Sequence, residues 1–399
     1  MLFEIKDGKK YRSLQKLVGQ GLTPKMVAKT VPTLQELSEG IVDDILMQKK
    51  KVKMIDMIKR FTLDVTWKQI IGLDLKSQDV IEKFRKNTKI WATSLEDYTL
   101  YILPLPMFIL KRTKQYKAKQ YLNKLIYNKM DEIIASGPDS STLSNMIYAV
   151  DDEAEDNNAK KLTRQQVLDN VFVLIIAGFD TSSLTLTNAM LLLGLHPNAW
   201  ERVVAEQEEL VAKYGEKLTK DQLDNECQYL DAVVKETMRL IPISGGLFRG
   251  VKETFVMDGF QIPKEWLALA SISLTHELDE ATWKEDGSHM DVKTGFKPER
   301  WLNDETKPTE FIPFGKIFYF LSFIHYKTIS KFLFVLIFHV GVGTRYCLGH
   351  HLANAEMKTF LAILARRVKS FKLVADTKKL KWTEGLMLVP KDGALIDVL

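Results

Sequence analysis

Apolar residues recur at three- and four-residue spacing along most of the chain, which is the pattern of amphipathic helices. The pattern predicts helices over residues 10–18, 33–50, 53–71, 79–92, 112–136 and 164–195. Thr163 and Gln166 form the signature of a capping box at the start of the last of these helices. Pro197 opens another helix that ends near Gly215, and a final helix runs from Gly349 to about residue 369.

Between residues 245 and 275 the pattern changes to short β-branched and aromatic runs among glycines and prolines. Phe255-Val256-Met257 and Phe260-Gln261-Ile262 are examples, and they predict a small β region. A short hairpin is expected around Pro390–Gly393. We therefore expect a mainly α fold with a small β region, formed by one domain over residues 1–399.

Composition excludes several classes of protein. The chain has 46% hydrophobic and 27% charged residues, which are ordinary globular values. Its net charge of +5 over 399 residues gives no argument for nucleic-acid binding, so no nucleic-acid partner is expected. The only two cysteines, Cys227 and Cys347, are too few and too far apart for a disulfide scaffold or a Cys-x-x-Cys metal site.

The helix over 164–195 is interrupted by Ala177-Gly178-Phe179-Asp180-Thr181-Ser182. A glycine inside a helix costs about 1 kcal/mol relative to alanine. An aspartate in an apolar stretch costs more unless it has a partner. The combination indicates a site where the helix opens or a ligand approaches, although a packing glycine and a solvent-facing Asp180 would explain it equally. Because Asp180 and Thr181 break the apolar run, no membrane span is expected here.

Two motifs contribute arginines. Glu236 and Arg239 are three residues apart in one predicted helix and therefore share a face. Arg300 lies in a proline-containing turn, Phe296-Lys297-Pro298-Glu299-Arg300-Trp301. Taken alone, these motifs are also compatible with an exposed ion pair and an ordinary loop.

The segment Gly341–Gly349 contains the most informative chemistry, GVGTRYCLG. Glycines permit a tight turn and a close approach of the backbone to a flat ligand. The turn presents Cys347 just before a helix, where the helix N-terminus favours thiolate over thiol. A single thiolate in that position fits an axial haem ligand. A buried structural cysteine, a catalytic thiol, and a zinc site with His350 and His351 are the alternatives, but the zinc site lacks a fourth ligand.

In this order and spacing, the motifs resemble those of the haem-thiolate monooxygenases, the cytochrome P450 family, and the resemblance covers nearly the whole chain. It identifies Cys347 with the proximal thiolate ligand and Asp180 and Thr181 with the catalytic oxygen-activating residues of the central helix. Glu236, Arg239 and Arg300 correspond to the family's Glu-x-x-Arg structural network. The haem-binding positions that the resemblance implies are Arg345, Arg249, Phe314, Gly343, Gly349 and Cys347. His276 and Asp279 match positions of a His-Arg-Asp run.

The resemblance also implies the cofactors and partners. Haem b with Cys347 as its axial iron ligand, O2, and electrons from NADPH through a reductase are expected. The last helix is similar to the branch that oxidises sterols, retinoids and other isoprenoids, so a small hydrophobic substrate is expected. Leu247, Phe248, residues 385–388 and the Phe172–Phe179 face are the predicted pocket wall. A basic face with Arg345, Lys358 and Arg366 is a candidate docking site for the reductase.

Relative to the family pattern, the chain is expected to begin near the third helix. The first helices and the membrane anchor are then absent, and no anchor is visible in this chain. A full-length relative would be expected at the endoplasmic reticulum or a plastid membrane, whereas the location of this chain is unknown.

The cysteine loop itself is split. Phe311-Ile312-Pro313-Phe314-Gly315 matches its start and Val342-Gly343-Thr344-Arg345-Tyr346-Cys347 matches its end. Residues 316–341 form an insertion between them. Of the 25 residues over 316–340, 15 are Phe, Ile, Lys or Tyr, which have AT-rich codons. The insertion is expected to distort the thiolate turn, so that this chain binds haem poorly or not at all. The alternative to a working monooxygenase is thus an inactive fragment or the product of a mis-spliced gene model.

The insertion has the features of a retained intron. Under this hypothesis, a Gly315 codon GGT followed by A would supply a splice donor, and an AG at the junction of Val340 and Gly341 would supply an acceptor. Removal of 26 residues restores the family motif in register. Sequencing of the spliced transcript across this junction should therefore show a form without the segment; transcripts that all retain it would exclude the intron hypothesis.

Overall fold

A computed structural model describes the chain over twelve ranges. These are residues 8–48, 51–75, 77–94, 106–153, 160–257, 259–279, 290–315, 317–322, 335–340, 346–374, 379–383 and 387–399. Two compact units are formed, the first from residues 1–30 and 59–180 and the second from 31–58 and 181–399.

Most of the described chain is helical. The α-helices are α1 Gly8–Gly19, α2 Pro24–Met47, α3 Met54–Val65, α4 Gln78–Thr93, α5 Met107–Leu110, α6 Lys114–Ser136, α7 Thr142–Tyr148, α8 Arg164–Leu195, α9 Pro197–Tyr214, α10 Lys220–Asn225, α11 Gln228–Leu240, α12 Ile272–Glu277 and α13 His350–Arg367. Short 3-10 segments span Gln20–Leu22 and Pro298–Leu302, and a π-helical turn spans Thr66–Ile71. The capping box at Thr163 is present, because the backbone N–H of Gln166 donates to Thr163 Oγ1 and that of Thr163 donates to Gln166 Oε1.

The strands all lie in the second unit. They are β1 Val52–Lys53, β2 Gly246–Gly250, β3 Phe255–Met257, β4 Phe260–Ile262, β5 Leu267–Ser271, β6 Ile317–Ser322, β7 Val335–Val340, β8 Phe371–Leu373 and β9 Leu395–Val398. They form sheets in the orders β1-β9-β8, β2-β5-β7-β6 and β3-β4. The mainly helical class with a small β region is confirmed. The residues after the predicted hairpin at 390–393 instead form β9, which pairs antiparallel with both β1 and β8.

In the first unit, a buried carboxylate joins α3 to α4. Asp64 accepts hydrogen bonds from Trp67 Nε1 at 3.0 Å and from Arg85 Nε at 2.9 Å. Since Asp64 is buried, these donors replace the water that it loses on folding.

In the second unit, α13 is the central buried element. Phe360, Leu361, Leu364 and Ala365 are fully buried on it. Even Lys358 of this helix is 4% exposed, with its ammonium bound to the Leu223 carbonyl at 2.8 Å and to Asp231 at 3.0 Å. The helix that follows Cys347 is therefore held from several sides, which fixes its N-terminus.

Strands β6 and β7 of the insertion form a hairpin that joins the sheet of β2 and β5. Strands β6 and β7 pair antiparallel, with Ile317 opposite Val340 at the base. Strand β7 then adds to β5 in parallel, with Leu269 opposite Val335. A chain segment that runs out and returns at one point keeps its two flanks close together.

Helix α8 is, within the described residues, the one helix that is long and apolar enough to cross a membrane. Every 18-residue window of α8 includes Asp180, so this charge interrupts the apolar run and the window qualifies on its mean hydropathy. Of its most apolar 18-residue window, 56% is buried inside the protein. A core helix of a globular protein has the same properties, so the length and composition of α8 are weak support for a membrane span.

Candidate functional site

The two halves of the split cysteine motif meet in the structure. The backbone N–H of Cys347 donates to the Phe314 carbonyl at 3.0 Å. The Phe314 ring lies 6.1 Å from the ring of His350 in the first turn of α13. Gly315 has a φ of +83°, a left-handed conformation that favours glycine at the point where the chain enters the hairpin. Phe314 is thus placed beside Cys347, although the insertion separates the two in sequence.

The Cys347 side chain is exposed, and its sulfur lies at the N-terminus of α13. Desolvation by the surrounding protein raises the pKa of the Cys347 thiol. The backbone N–H groups of Gly349 and His350 act on the sulfur in the opposite direction, because they stabilise the thiolate. Gly349 is the N-cap residue of α13.

These features fit an axial haem thiolate. An accessible sulfur can reach a metal outside the protein chain, and backbone N–H groups directed at it compensate the negative charge of a ligating thiolate. Within the described ranges, no group of three or more His, Cys, Asp or Glu residues is arranged to hold a metal ion. This finding does not support the alternative zinc site with His350 and His351, whereas an axial haem ligand needs only one side chain.

The other cysteine has the opposite character. Cys227 is 1% exposed, and burial raises the pKa of its thiol to about 11. It is a neutral thiol at physiological pH and is a natural control for Cys347.

A buried carboxylate organises the helix α11 and the turn at 297–301. Glu236, which is fully buried, accepts hydrogen bonds from five donors. They are Arg239 Nε at 2.8 Å, Arg239 Nη2 at 2.8 Å, Arg300 Nε at 3.0 Å, Trp301 Nε1 at 3.0 Å and the Lys297 backbone N–H at 3.0 Å. The structure therefore brings Glu236, Arg239 and Arg300 into one ion network.

His276 extends this network toward the cysteine turn. Its Nδ1 lies 3.1 Å from the Arg239 carbonyl, and its Nε2 accepts from the Ile312 N–H at 3.0 Å. Nδ1 must then carry the proton and donate. Burial lowers the pKa of His276 to about 4, so the ring stays neutral at physiological pH. Because Ile312 lies two residues before Phe314, His276 fixes the strand-like segment that enters the cysteine turn.

Asp279 holds the same segment at residues 309 and 310. Its carboxylate accepts from the backbone N–H of Glu310 at 2.6 Å and from Thr309 Oγ1 at 3.3 Å. Sequence reasoning matched His276 and Asp279 to a family position but gave neither a role. Their partners are 30 or more residues away along the chain, and no local pattern indicates them.

Asp180 and Thr181, the predicted catalytic residues of α8, are partly exposed and exposed, respectively. Asp180 forms an ion pair with Lys59, with Nζ and Oδ1 3.0 Å apart, and Thr62 Oγ1 donates to the Phe179 carbonyl at 3.1 Å. Thr181 is exposed, and its carbonyl accepts from Thr185 Oγ1. Two α3 side chains thus hold the helix where the acid of the motif lies.

Of the other predicted haem-binding residues, Arg249 is exposed on β2 and donates to the Phe248 carbonyl at 2.8 Å. Gly343 and Arg345 lie outside the described residues, as does part of the predicted pocket wall at 385–388. Phe248 is exposed, whereas Phe172 is buried 4.5 Å from the ring of Trp91. Phe172 therefore packs in the core of the first unit.

The predicted basic docking face is wrong for two of its three members. Lys358 is buried and paired, as described above. Arg366 has 6% of its side chain exposed and donates to the Glu216 carbonyl at 2.6 Å. Helical periodicity could not show this, because the acceptors come from other helices and loops.

Comparison with known proteins identifies the family of the chain. A family model described as Cytochrome P450 matches residues 4–316, and the match ends where the insertion begins. The chain is 28% identical to the putative cytochrome P450 120 of Synechocystis, over 90% of this chain and 71% of that protein. It is 25% identical to cytochrome P450 26B1 of Rattus norvegicus (92% and 65%) and 24% identical to beta-amyrin 28-monooxygenase of Medicago truncatula (92% and 68%).

A solved structure shares the fold. Retinoic acid-bound cyanobacterial CYP120A1 superposes with a TM-score of 0.71 at 25% identity, covering 98% of this chain and 78% of that one. The chain therefore belongs to the cytochrome P450 family, whose members are oxidoreductases with a haem-thiolate centre.

The Glu236 network gives a stability prediction. Replacement of Glu236 by Gln should lower the free energy of unfolding by about 3–5 kcal/mol, because it removes the charge that neutralises two buried arginines. Urea denaturation followed by circular dichroism measures this loss.

Glu299→Gln is the matched control. Glu299 also accepts from an arginine and from Tyr229 Oη, but it is half-exposed, so the loss should stay below about 1 kcal/mol. Equal losses in the two variants would show that burial of the Glu236 network is not what stabilises this region.

Proposed function

We propose that this chain is a haem-dependent monooxygenase that hydroxylates a small hydrophobic, isoprenoid- or sterol-like substrate with O2 and with electrons from NADPH through a reductase. The observation that carries the proposal is the cysteine turn. Cys347 is accessible at the start of α13, its sulfur faces two backbone N–H groups, and Phe314 lies beside it across the insertion. When bound through Cys347, haem supplies the oxygen-activating redox chemistry.

The residues around the sulfur keep it in place and offer it two backbone N–H donors. The Gly349 and His350 N–H groups stabilise negative charge on the sulfur, and α13 is anchored by its buried apolar face. His276 and Asp279 fix residues 309–312, which precede Phe314. Among the predicted contacts with the haem, Gly343, Arg345 and Arg249 remain proposals.

Asp180 and Thr181 are proposed to move protons to the reacting oxygen. Asp180 is partly exposed and can exchange a proton with solvent, and Thr181 follows it directly in α8 with an accessible side chain. A carboxylate and a hydroxyl next to each other are suited to relay protons through water. The ammonium of Lys59 donates to the Asp180 carboxylate at 3.0 Å and orients it.

Two related proteins and two apolar side chains on β2 support the proposed substrate class. One relative is named as a beta-amyrin 28-monooxygenase, and the superposed solved structure contains retinoic acid. Both molecules are isoprenoid-derived and apolar. The exposed Phe248 and the half-buried Leu247 on β2 are suited to contact such a molecule.

The second candidate is an inactive product of a mis-spliced gene. It is favoured by the end of the family match at residue 316 and by the foreign composition of the 25 residues that follow. Under this hypothesis the insertion prevents the residues over 341–345 from completing the haem site.

The ligand assignment predicts a difference between the two cysteines. In haem-reconstituted protein, Cys347→Ser should abolish the thiolate-type carbon-monoxide difference band, because a serine hydroxyl does not provide a soft anionic ligand. Cys227→Ser should leave the band unchanged, because Cys227 is buried away from the site as a neutral thiol. A band that survives in Cys347→Ser would exclude the assignment.

Deletion of residues 316–341 separates the two candidates. We expect the deletion variant to bind haem stoichiometrically and the chain with its insertion to bind at least several-fold less, as judged by the same difference spectrum. Circular dichroism controls for folding in both proteins. Equal haem content would show that the hairpin is tolerated, and no band in either protein would contradict the monooxygenase proposal.

A further inference from the structure

Three buried hydroxyl and carboxyl oxygens lie on α8 and α13, one on α8 and two on α13. They belong to Ser182, Glu356 and Thr359, whose side chains are 2%, 3% and 0% exposed. Ser182 Oγ, Glu356 Oε2 and Thr359 Oγ1 each lack a hydrogen-bond partner in the protein. Leaving such atoms without a partner is destabilising, so native proteins usually satisfy them with ordered water.

Ser182 and Glu356 are close enough to interact. The Ser182 hydroxyl lowers the pKa of Glu356, which opposes the effect of burial. Their oxygens nevertheless do not make a direct hydrogen bond. A bridging water would give both of these buried oxygens a hydrogen-bond partner. Thr359 is three residues after Glu356 and therefore shares its face of α13.

Charged groups around α13 are engaged elsewhere. The helix packs against α9, α10 and α11. The pairs formed there are Lys358 with Asp224 and Asp231, Arg366 with Glu216, and Glu206 with the N-terminus of α11. Residues 181–195 of α8 contain no charged side chain. No cation of the described residues contributes to the pKa of Glu356, and burial raises that pKa to about 8.

We propose that Glu356 is a neutral carboxylic acid that shares a buried water molecule with Ser182, and that this bridge fixes the segment of α8 next to Thr181 against α13. Glu356 is thereby a positioning residue. Its carboxyl O–H donates a hydrogen bond to the water, and the water donates a hydrogen bond to the Ser182 hydroxyl oxygen. Because α13 begins at the Cys347 turn, the bridge connects the helix of the proposed thiolate to the helix of the proposed oxygen-activating threonine. That connection rests on the proposed function, whereas the bridge itself does not.

The protonation state is tested by infrared spectroscopy of the full chain. At about pH 6 to 7, a carbonyl stretch of a protonated, buried carboxylic acid should be present, and it should be lost in Glu356→Gln. The control Glu201→Gln removes an exposed carboxylate of α9 and should leave the band intact. If no carboxylic-acid band distinguishes the parent from Glu356→Gln, the proposal is wrong.

The same variant gives a pH-dependent readout. When a carboxyl stays protonated in the folded protein but ionises in the unfolded chain, a rise in pH favours the unfolded chain. The protein therefore loses stability between the unfolded pKa of the group, about 4.3, and its folded pKa. The thermal midpoint of the parent should therefore fall relative to that of Glu356→Gln between about pH 5 and pH 8 and then stay parallel to it. Parallel midpoints over the whole range would show that Glu356 is ionised when folded.

A double-mutant cycle tests the bridge. Glu356→Leu and Ser182→Ala should each lower the urea midpoint, because each leaves the other polar group without its water-mediated partner. The double variant should lose clearly less than the sum of the two, because both partners are then removed. Additive losses would overturn the bridge. The thiolate band of the parent protein reports independently on the proposed function, so a missing band would not be mistaken for failure of the bridge.

Discussion

The carboxylate of Glu236 is the interaction on which the second unit depends. It is removed from water completely, and it is held there by two arginines, an indole and a backbone N–H group. A buried charge with this many donors can only exist in one arrangement of α11 and the turn at 297–301, since any other leaves arginines unpaired in the interior. The network therefore contributes specificity of structure more than it adds net stability. Through the Arg239 carbonyl it also orients His276.

From His276 the constraint continues to the cysteine turn. The imidazole receives the Ile312 N–H, Asp279 receives the Glu310 N–H, and the chain then delivers Phe314 to the N–H of Cys347. The residues that make these contacts lie before the insertion or after it, and none of them belongs to it. The insertion therefore leaves the contact between Phe314 and Cys347 intact. Loop closure over such a length costs little free energy.

The surroundings of helix α8 differ before and after residue 180. Before it, α3 supplies Lys59 and Thr62 to Asp180 and the Phe179 carbonyl. After it, the helix is uncharged and mostly buried, and it carries the Ser182 hydroxyl toward Glu356. Polar groups thus accompany the interrupted segment on both sides, which explains why a helix that is otherwise as apolar as a membrane span keeps Asp180, Thr181 and Ser182 in succession.

Local pattern was sufficient for the elements of this protein and for the residue types of its site. Helix periodicity and caps predicted α8 with its observed bounds, and the order of four short motifs indicated the family. Spacing of three residues placed Glu236 and Arg239 on one face, but only tertiary structure supplied Trp301 and the Lys297 N–H as further donors. Lys358 and Arg366 look like surface cations in sequence, and they are buried because their acceptors come from distant segments. The same holds for His276, for the reunion of Phe314 with Cys347, and for Glu356 facing Ser182. Sequence determines what a segment prefers within a few residues, whereas partners separated by tens to hundreds of positions are decided by packing, which no local pattern encodes.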